Sequence, residues 1–449
     1  MTSRYIQLQP DNRPADGKVS YKNGFPVLSF TISAQEGLLD PSSIRIVGNL
    51  NVFKNNASPP SPAQDGDQLT MNNRLGIYNI FDSLTVRSGR SSMICEQIRH
   101  YAKWMNTYTG VSSSLGDQLT HLGSSCLIMP NAEAFRKGVI ENDALAKQTT
   151  SFSAHLPCGF CQSGNFVDLR QDAFGAVQVE IALMPDANVL YYESGAVGAA
   201  LGEAHYQLSD VSLCCEVKDL PSDMANASPQ GSFSFNTITS LYTSINSTNA
   251  QIQYSLSLRN LQSAFMTFMP VNNINTLTAD GSATTYPSNA SANASGGVIA
   301  AIRRVQFLKG GTKFPAEFDY VNNIVGNPGT QLPDPQIVKG LYDAIVPDYH
   351  QVRTAMSPAN MNRDYQMGTL VGGAGSTGES AYNNIVDGGS IMGLGVKYGI
   401  GDAGEDFSTQ QWGVSIESGL DTDNPIGVFL FFKSKATLLY DAMGVQLIV

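Results

Sequence analysis

The densest group of reactive side chains in this 449-residue chain is His155-Leu-Pro-Cys158-Gly-Phe-Cys161. A Cys-x-x-Cys beside an imidazole could supply ligands to zinc, which usually takes four sulfur or nitrogen donors. A second Cys-x-x-Cys is absent, and the adjacent Cys214 and Cys215 would point to opposite faces of a strand. His155, Cys158 and Cys161 are therefore weak metal candidates. The better reading is that these cysteines act as small buried hydrophobes at a strand end. No metal and no other cofactor is expected.

The remaining chemistry is thinner still. Five histidines (His100, His121, His155, His205, His350) are scattered, and none lies near a Gly-x-Ser-x-Gly elbow. Gly372–Gly378 lacks the Lys-Ser/Thr of a phosphate loop. Asp402, Glu405 and Asp406 could offer oxygens to calcium, but without EF-hand spacing they read as a solvated turn. Asp421 and Asp423 read as turn chemistry. Arg303-Arg304, near Lys309 and Lys313, is the nearest thing to a basic spot and is too small to grip a genome. No catalytic residue emerges, and the chain is not expected to be an enzyme.

Such a chain must be understood through the elements that its residues build. Charged residues make up 14% of it, against the roughly 25% usual in globular domains. Small polar residues and 42 glycines fill the gap. A charge-poor surface suits a protein whose sides are covered by neighbours. Net charge is −11 with no basic run, so sequence-specific nucleic-acid binding is not expected. No secretory leader and no run of 18 apolar residues is visible in this sequence. Six cysteines in so long a chain do not imply a disulfide framework.

The dominant period is two. Ile44, Ile46, Leu50 and Val52 alternate with polar residues, as do Val177, Val179, Ile181 and Leu183. Val211, Leu213, Cys215 and Val217 alternate likewise, and so do Ile252, Tyr254, Leu256 and Leu258. Each run predicts a strand with one buried face. Further strands are predicted over Val27–Ser33, Ile77–Arg87, Ser151–Leu156, Gly231–Ile238, Ile302–Leu308, Leu394–Tyr398, Gly413–Ile416, Gly427–Phe432 and Leu438–Val449. Two helices are predicted, Met93–Met105 and Gln336–Ile345, at comparable places in the two halves of the chain. That placement hints at an internal duplication. The fold class is all-β, with sandwiches or barrels and few helices.

Several of these segments, in this order, resemble the double jelly-roll major capsid proteins of icosahedral DNA viruses, most of all those of virophages and polinton-like viruses. In the first half they are Phe25-Pro-Val-Leu-Ser-Phe-Thr-Ile, Ile44-Arg-Ile-Val-Gly-Asn-Leu-Asn-Val, Leu75-Gly-Ile-Tyr-Asn-Ile-Phe-Asp-Ser-Leu-Thr-Val and Ile94-Cys-Glu-Gln-Ile-Arg-His-Tyr. Phe166-Val-Asp-Leu-Arg and Val177-Gln-Val-Glu-Ile-Ala-Leu follow. In the second half they are Ile302-Arg-Arg-Val-Gln-Phe, Lys313-Phe-Pro, Gly413-Val-Ser-Ile-Glu-Ser-Gly-Leu and Val428-Phe-Leu-Phe-Phe. The likeness spans nearly the whole chain, in short pieces and not in one signature motif.

The resemblance implies two tandem jelly-roll β-sandwich domains with short helices in inter-strand excursions. The expected division is an N-terminal arm (1–24), a first roll (25–220), a turn-rich link (221–230) and a second roll (231–449). It implies a homotrimer whose six rolls form a pseudo-hexameric capsomer of the virion shell, with neighbouring capsomers, penton and minor capsid proteins as partners. Such a protein would be assembled inside the host cell. The long loops Asn272–Gly297 and Gly368–Gly389 are expected as outer towers on length and composition. The alternatives are another β-sandwich virion component and a surface glycan-binding protein. A glycan hydrolase would need paired carboxylates in an aromatic-lined groove, and the chain has two tryptophans, Trp104 and Trp412.

Overall fold

The computed structural model describes residues 2–22, 24, 26–55, 57–61, 69–71, 75–112, 123–127, 149–192, 203–225, 227, 230–271, 302–316, 319–321, 340–341, 343–345, 393–399, 403–418, 425–441 and 443–449. The first half carries β1 (Ser3–Leu8), β2 (Lys18–Val19), β3 (Val27–Ile32), β4 (Leu38–Phe53), β5 (Leu69–Met71) and β6 (Phe81–Ser88). It continues with β7 (Ile94–Arg99), helix α1 (Tyr101–Ser112), β8 (Thr149–His155), β9 (Val167–Asp168), β10 (Val177–Leu183), β11 (Leu190–Tyr192) and β12 (His205–Lys218). The second half carries β13 (Gly231–Ile245), β14 (Asn249–Tyr254), β15 (Leu261–Pro270), β16 (Ile302–Lys309) and β17 (Thr312–Lys313). It ends with β18 (Asp319–Val321), β19 (Leu394–Lys397), β20 (Trp412–Ser418), β21 (Ile426–Asp441) and β22 (Gly444–Ile448).

All pairings among these strands are antiparallel, and none joins one half to the other. In the first half the two main sheets run β1-β12-β4-β8 and β3-β10-β6-β7. In the second they run β13-β21-β15-β19 and β14-β20-β16-β17. Numbering the eight principal strands of each half in chain order gives the same result twice: 1-8-3-6 and 2-7-4-5. That is the strand order of a jelly roll, and its repetition is the duplication that the sequence hinted at. Helix α1 lies between principal strands five and six. In the second half the helical residues 340–341 and 343–345 occupy the same interval.

Burial explains the strand patterns. β10 alternates buried and half-buried residues along all of its length. β21 does not alternate at first, because residues Ile426 to Phe432 are buried throughout. Neighbours of opposite parity meet different partners there. The Phe432 ring lies 4.7 Å from Trp412 in the second core, while the Phe429 ring lies 5.0 Å from His100 of the first half. A strand covered on both faces reads as a continuous apolar run.

Several expectations need correction. The segment predicted as helix Met93–Met105 is β7 over its first half, and the helix begins only at Tyr101. A spacing of four fits both a strand and a helix, and Ile94, which set the helical phase, is exposed. His100, at φ 56°, separates strand from helix. The N-terminal arm 1–24 is not separate from the first roll, since β1 is its first strand and pairs with β12 from Ser3↔Lys218 to Leu8↔Leu213. Residues 76–80 form a 3-10 turn before β6. β14 stops at Tyr254, and Ser257 takes a positive φ of 54°. The strand expected at Gly427–Phe432 and the start of the one expected over Leu438–Val449 are one sixteen-residue strand, β21, and the remainder of the latter is β22.

The second core centres on Trp412, which is fully buried and donates from Nε1 to the Tyr398 hydroxyl at 2.8 Å. Trp412→Ala is expected to cost roughly 3–5 kcal/mol in a denaturant titration. Trp412→Phe should cost less, because it keeps an aromatic ring against Phe432 and loses the N–H and part of the indole volume.

Candidate functional site: the seam between the two halves

Two sheet edges meet where the halves join. β7 ends one sheet of the first half and β13 ends one sheet of the second. The outer backbone groups of such edges need partners. Here side chains supply them. Glu96 of β7 accepts from the Ile238 N–H of β13 at 3.0 Å and from the Phe160 N–H of its own half at 2.8 Å. In the reverse direction the Arg99 N–H donates to Ser240 Oγ at 2.8 Å. Glu96 is 3% exposed, so it sits among N–H dipoles instead of water. Burial pushes its pKa up, and the hydrogen bonds it accepts hold the rise back.

Close packing surrounds this carboxylate. A Cβ on Gly159 would stand 1.8 Å from the Asn236 carbonyl oxygen, so only glycine lets the turn reach β13. The Phe160 ring lies 6.0 Å from Phe233 and 6.1 Å from Phe235. Phe174 meets Tyr440 edge-on at 6.5 Å. Phe429 lies between His100 and the Lys103 ammonium, which is 5.8 Å from its centroid, and Tyr242 completes the group. Burial lowers the pKa of Lys103 to about 7, while Asp82 acts the other way. Burial lowers His100 to about 4, helped by the charges of Lys103 and Arg99. Two arginines stitch the rim. Arg90 Nη1 donates to the carbonyls of Ala173 at 2.8 Å and Asp441 at 2.7 Å. Arg170, paired with Asp168 at 2.7 Å, donates to the carbonyls of Met224 and Ala227 in the link.

The sequence candidates fall elsewhere or take other roles. His155 is exposed on β8, and its carbonyl accepts from the Tyr78 hydroxyl at 2.9 Å. Cys158 and Cys161 are buried together, with the Cys161 N–H 3.4 Å from Cys158 Sγ. Among the described residues no group of three or more His, Cys, Asp or Glu is arranged to hold a metal ion. Cys214 and Cys215 stand on β12, half-buried and buried respectively. His205 stacks on Phe53 at 5.1 Å. Glu405 pairs with Lys309 at 2.5 Å, and Asp406 caps its turn through the Ser408 N–H. Asp402, Asp421, Asp423, His121, His350 and the loops Asn272–Gly297 and Gly368–Gly389 lie outside the described residues. Sequence reasoning missed Glu96, the hub of the seam. A carboxylate in a strand between Cys95 and Gln97 carried no signal other than sitting where a core residue could sit.

No protein-family model and no curated protein matches the sequence. Solved structures do match over the full chain. The PBCV-1 virus capsid quasi-atomic model superposes with a TM-score of 0.56 at 11% identity, covering 100% of this chain and 96% of that one. The Sputnik virophage structure gives 0.52 at 10%, covering 100% and 88%. The mavirus major capsid protein gives 0.51 at 6%, covering 99% and 90%. The chain has the double jelly-roll fold. In this double jelly roll, each roll satisfies its own sheets and the seam joins the two.

Replacing Glu96 tests the seam. Glu96→Gln sets an amide NH₂ against the Phe160 or Ile238 N–H and should cost about 1–3 kcal/mol. Glu96→Ala strands both donors beside a cavity and should cost roughly 3–5 kcal/mol, read by denaturant unfolding. His100 gives a pH dependence. Its folded pKa lies below the ordinary imidazole value of 6.5, so its contribution is present above about 6.5 and is lost as pH falls toward about 4. The stability difference between wild type and His100→Phe should therefore shift in favour of the variant across that window. A difference that is flat with pH would contradict a buried neutral imidazole.

Proposed function

We propose that the chain is a major capsid protein, a structural component of a virion shell. The observation that carries this reading is the agreement of both rolls, in one chain and over its full length, with solved capsid proteins of DNA viruses and virophages. Three copies associate into a capsomer with six similar walls, and these capsomers tile an icosahedral face. The role is architectural and not enzymatic. The partners are two further copies, neighbouring capsomers, and the penton and minor proteins that close the shell. The protein resides in the virion after assembly inside the host cell.

The topology supports an orientation. In both halves principal strands three and six are antiparallel neighbours of strand eight's sheet or of each other (β4 with β8, β15 with β19). The chain therefore leaves strand three and enters strand six at one end of the sheet. This end of the second roll, where β15 stops at Pro270 and β19 starts at Leu394, is the end that faces outward in the proposed shell. The rolls divide at the link between Lys218 and Gly231. The glycan-binding alternative gains no support from the tryptophans, because Trp104 and Trp412 are both buried in cores.

Sedimentation equilibrium of the purified chain should give three times the 48.1 kDa chain mass. A monomer that persists at tens of micromolar, a concentration at which ordinary specific interfaces are occupied, would count against the proposal.

A further inference from the structure

The hairpin that joins β13 to β14 borders a groove of about 470 Å³, within the roughly 300–1,000 Å³ of small-molecule sites. Its walls come from Thr243–Tyr254, a segment without a charged residue. The side-chain amides of Asn246, Asn249, Gln251 and Gln253 line it from exposed positions. Ile245 and Ile252, at 6% and 7% exposure, are already committed to the core of the roll. Tyr254 is half-buried beside the amides, and its hydroxyl donates to the Tyr242 carbonyl of β13 at 3.4 Å. β14 ends its sheet, with β20 on one side and no described strand on the other. Ile245 of β13 and Pro270 of β15 both pair with Ile426. The groove therefore stands at the end of the second roll where β15 stops, the outward end in the proposed shell.

We propose that this groove binds a neutral saccharide, and that through it the shell meets a glycan on the surface of the host cell. The outward position, and with it the host glycan, rests on the capsid reading. The affinity of the groove for sugar does not.

The lining selects the ligand by its chemistry. Every sugar hydroxyl both donates and accepts, and a primary amide or a hydroxyl side chain can answer it in either direction. Four amides on one short hairpin offer that match several times over. A phosphate, a carboxylate or an ammonium would look for an opposite charge, and the segment holds none. A lipid chain would look for open apolar surface, and the two isoleucines are turned into the core. Tyr254 adds a ring with an apolar face and a polar tip, suited to the C–H face of a pyranose. The buried tryptophans take no part. A peptide added as a strand along β14 would draw its specificity from pockets for alternate side chains, and the buried isoleucines leave no apolar pocket for it.

The test applies the purified full-length chain to an array of neutral oligosaccharides, sulfated and sialylated oligosaccharides, and extended peptides, and titrates the retained ligands by saturation-transfer NMR. Neutral oligosaccharides should be retained, and the acidic ones should gain nothing from their charge. Gln251→Ala combined with Gln253→Ala removes two amides at exposed positions. It should leave the unfolding midpoint in place and weaken sugar binding about tenfold, as the loss of two hydrogen-bonding partners implies. Gln446→Ala, at an exposed position of β22, should leave binding unchanged. The proposal is overturned if no neutral oligosaccharide binds at millimolar concentration, if binding survives the double substitution, or if the chain retains peptides instead. Binding is read on the chain whatever its oligomeric state, so a failure here leaves the capsid reading untouched. A chain that binds sugar yet sediments as a monomer would keep the site and lose its place on a shell.

Discussion

A carboxylate buried among backbone N–H groups holds this molecule in one piece. Two jelly rolls, each with complete sheets, have no hydrogen-bonding need for one another except at their open edges. Glu96 meets that need at the place where β7 and β13 approach, by accepting from Phe160 on one side and Ile238 on the other. The desolvation of the charge is large, and only a full set of donors offsets it. The arrangement tolerates little displacement, because a small slide of one roll would strand either the carboxylate or the amides. Gly159, with no room for a side chain, enforces the same closeness by steric means.

The rest of the architecture follows from that constraint. The even residues Leu430 and Phe432 of β21 serve the second core, and Phe429 serves the seam, which is why one strand carries five consecutive large apolar residues from Val428 to Phe432. Burial pushes the pKa values of His100 and Lys103 down beside Phe429. Arg90 and Arg170 act at the rim, where solvent lowers the cost of their charge, and bind carbonyls of the partner half and the link. A chain built this way carries two rolls at a fixed mutual angle.

Much of the fold was legible because period-two alternation is a local signal. β10 is visible in the sequence as it stands in the structure, and so is the second half of β12, from Val211. The doubling was legible in part through the two helices, which fall in the same interval of each roll. What was not legible depended on contacts distant in sequence. Ile94 and Ile98 fit a helix as well as a strand, and pairing with β6 decided the matter. Residues 3–8 looked like a polar arm because Tyr5 is 74% exposed, yet their backbone completes the sheet beside β12. The seam was invisible, since a lone glutamate acquires meaning only when amides 64 and 142 residues away converge on it. The Cys-x-x-Cys attracted attention for metal chemistry, and the structure buries both of its sulfurs in the turn that meets the seam.

The seam makes two rolls into one rigid unit, and in the proposed assembly three such units give six walls. Electron cryo-microscopy of the purified assembly tests this most directly. The account predicts particles with a six-sided outline in which both rolls of every chain are resolved at a single relative orientation. Three-lobed particles, or single chains whose two rolls take variable orientations, would contradict it.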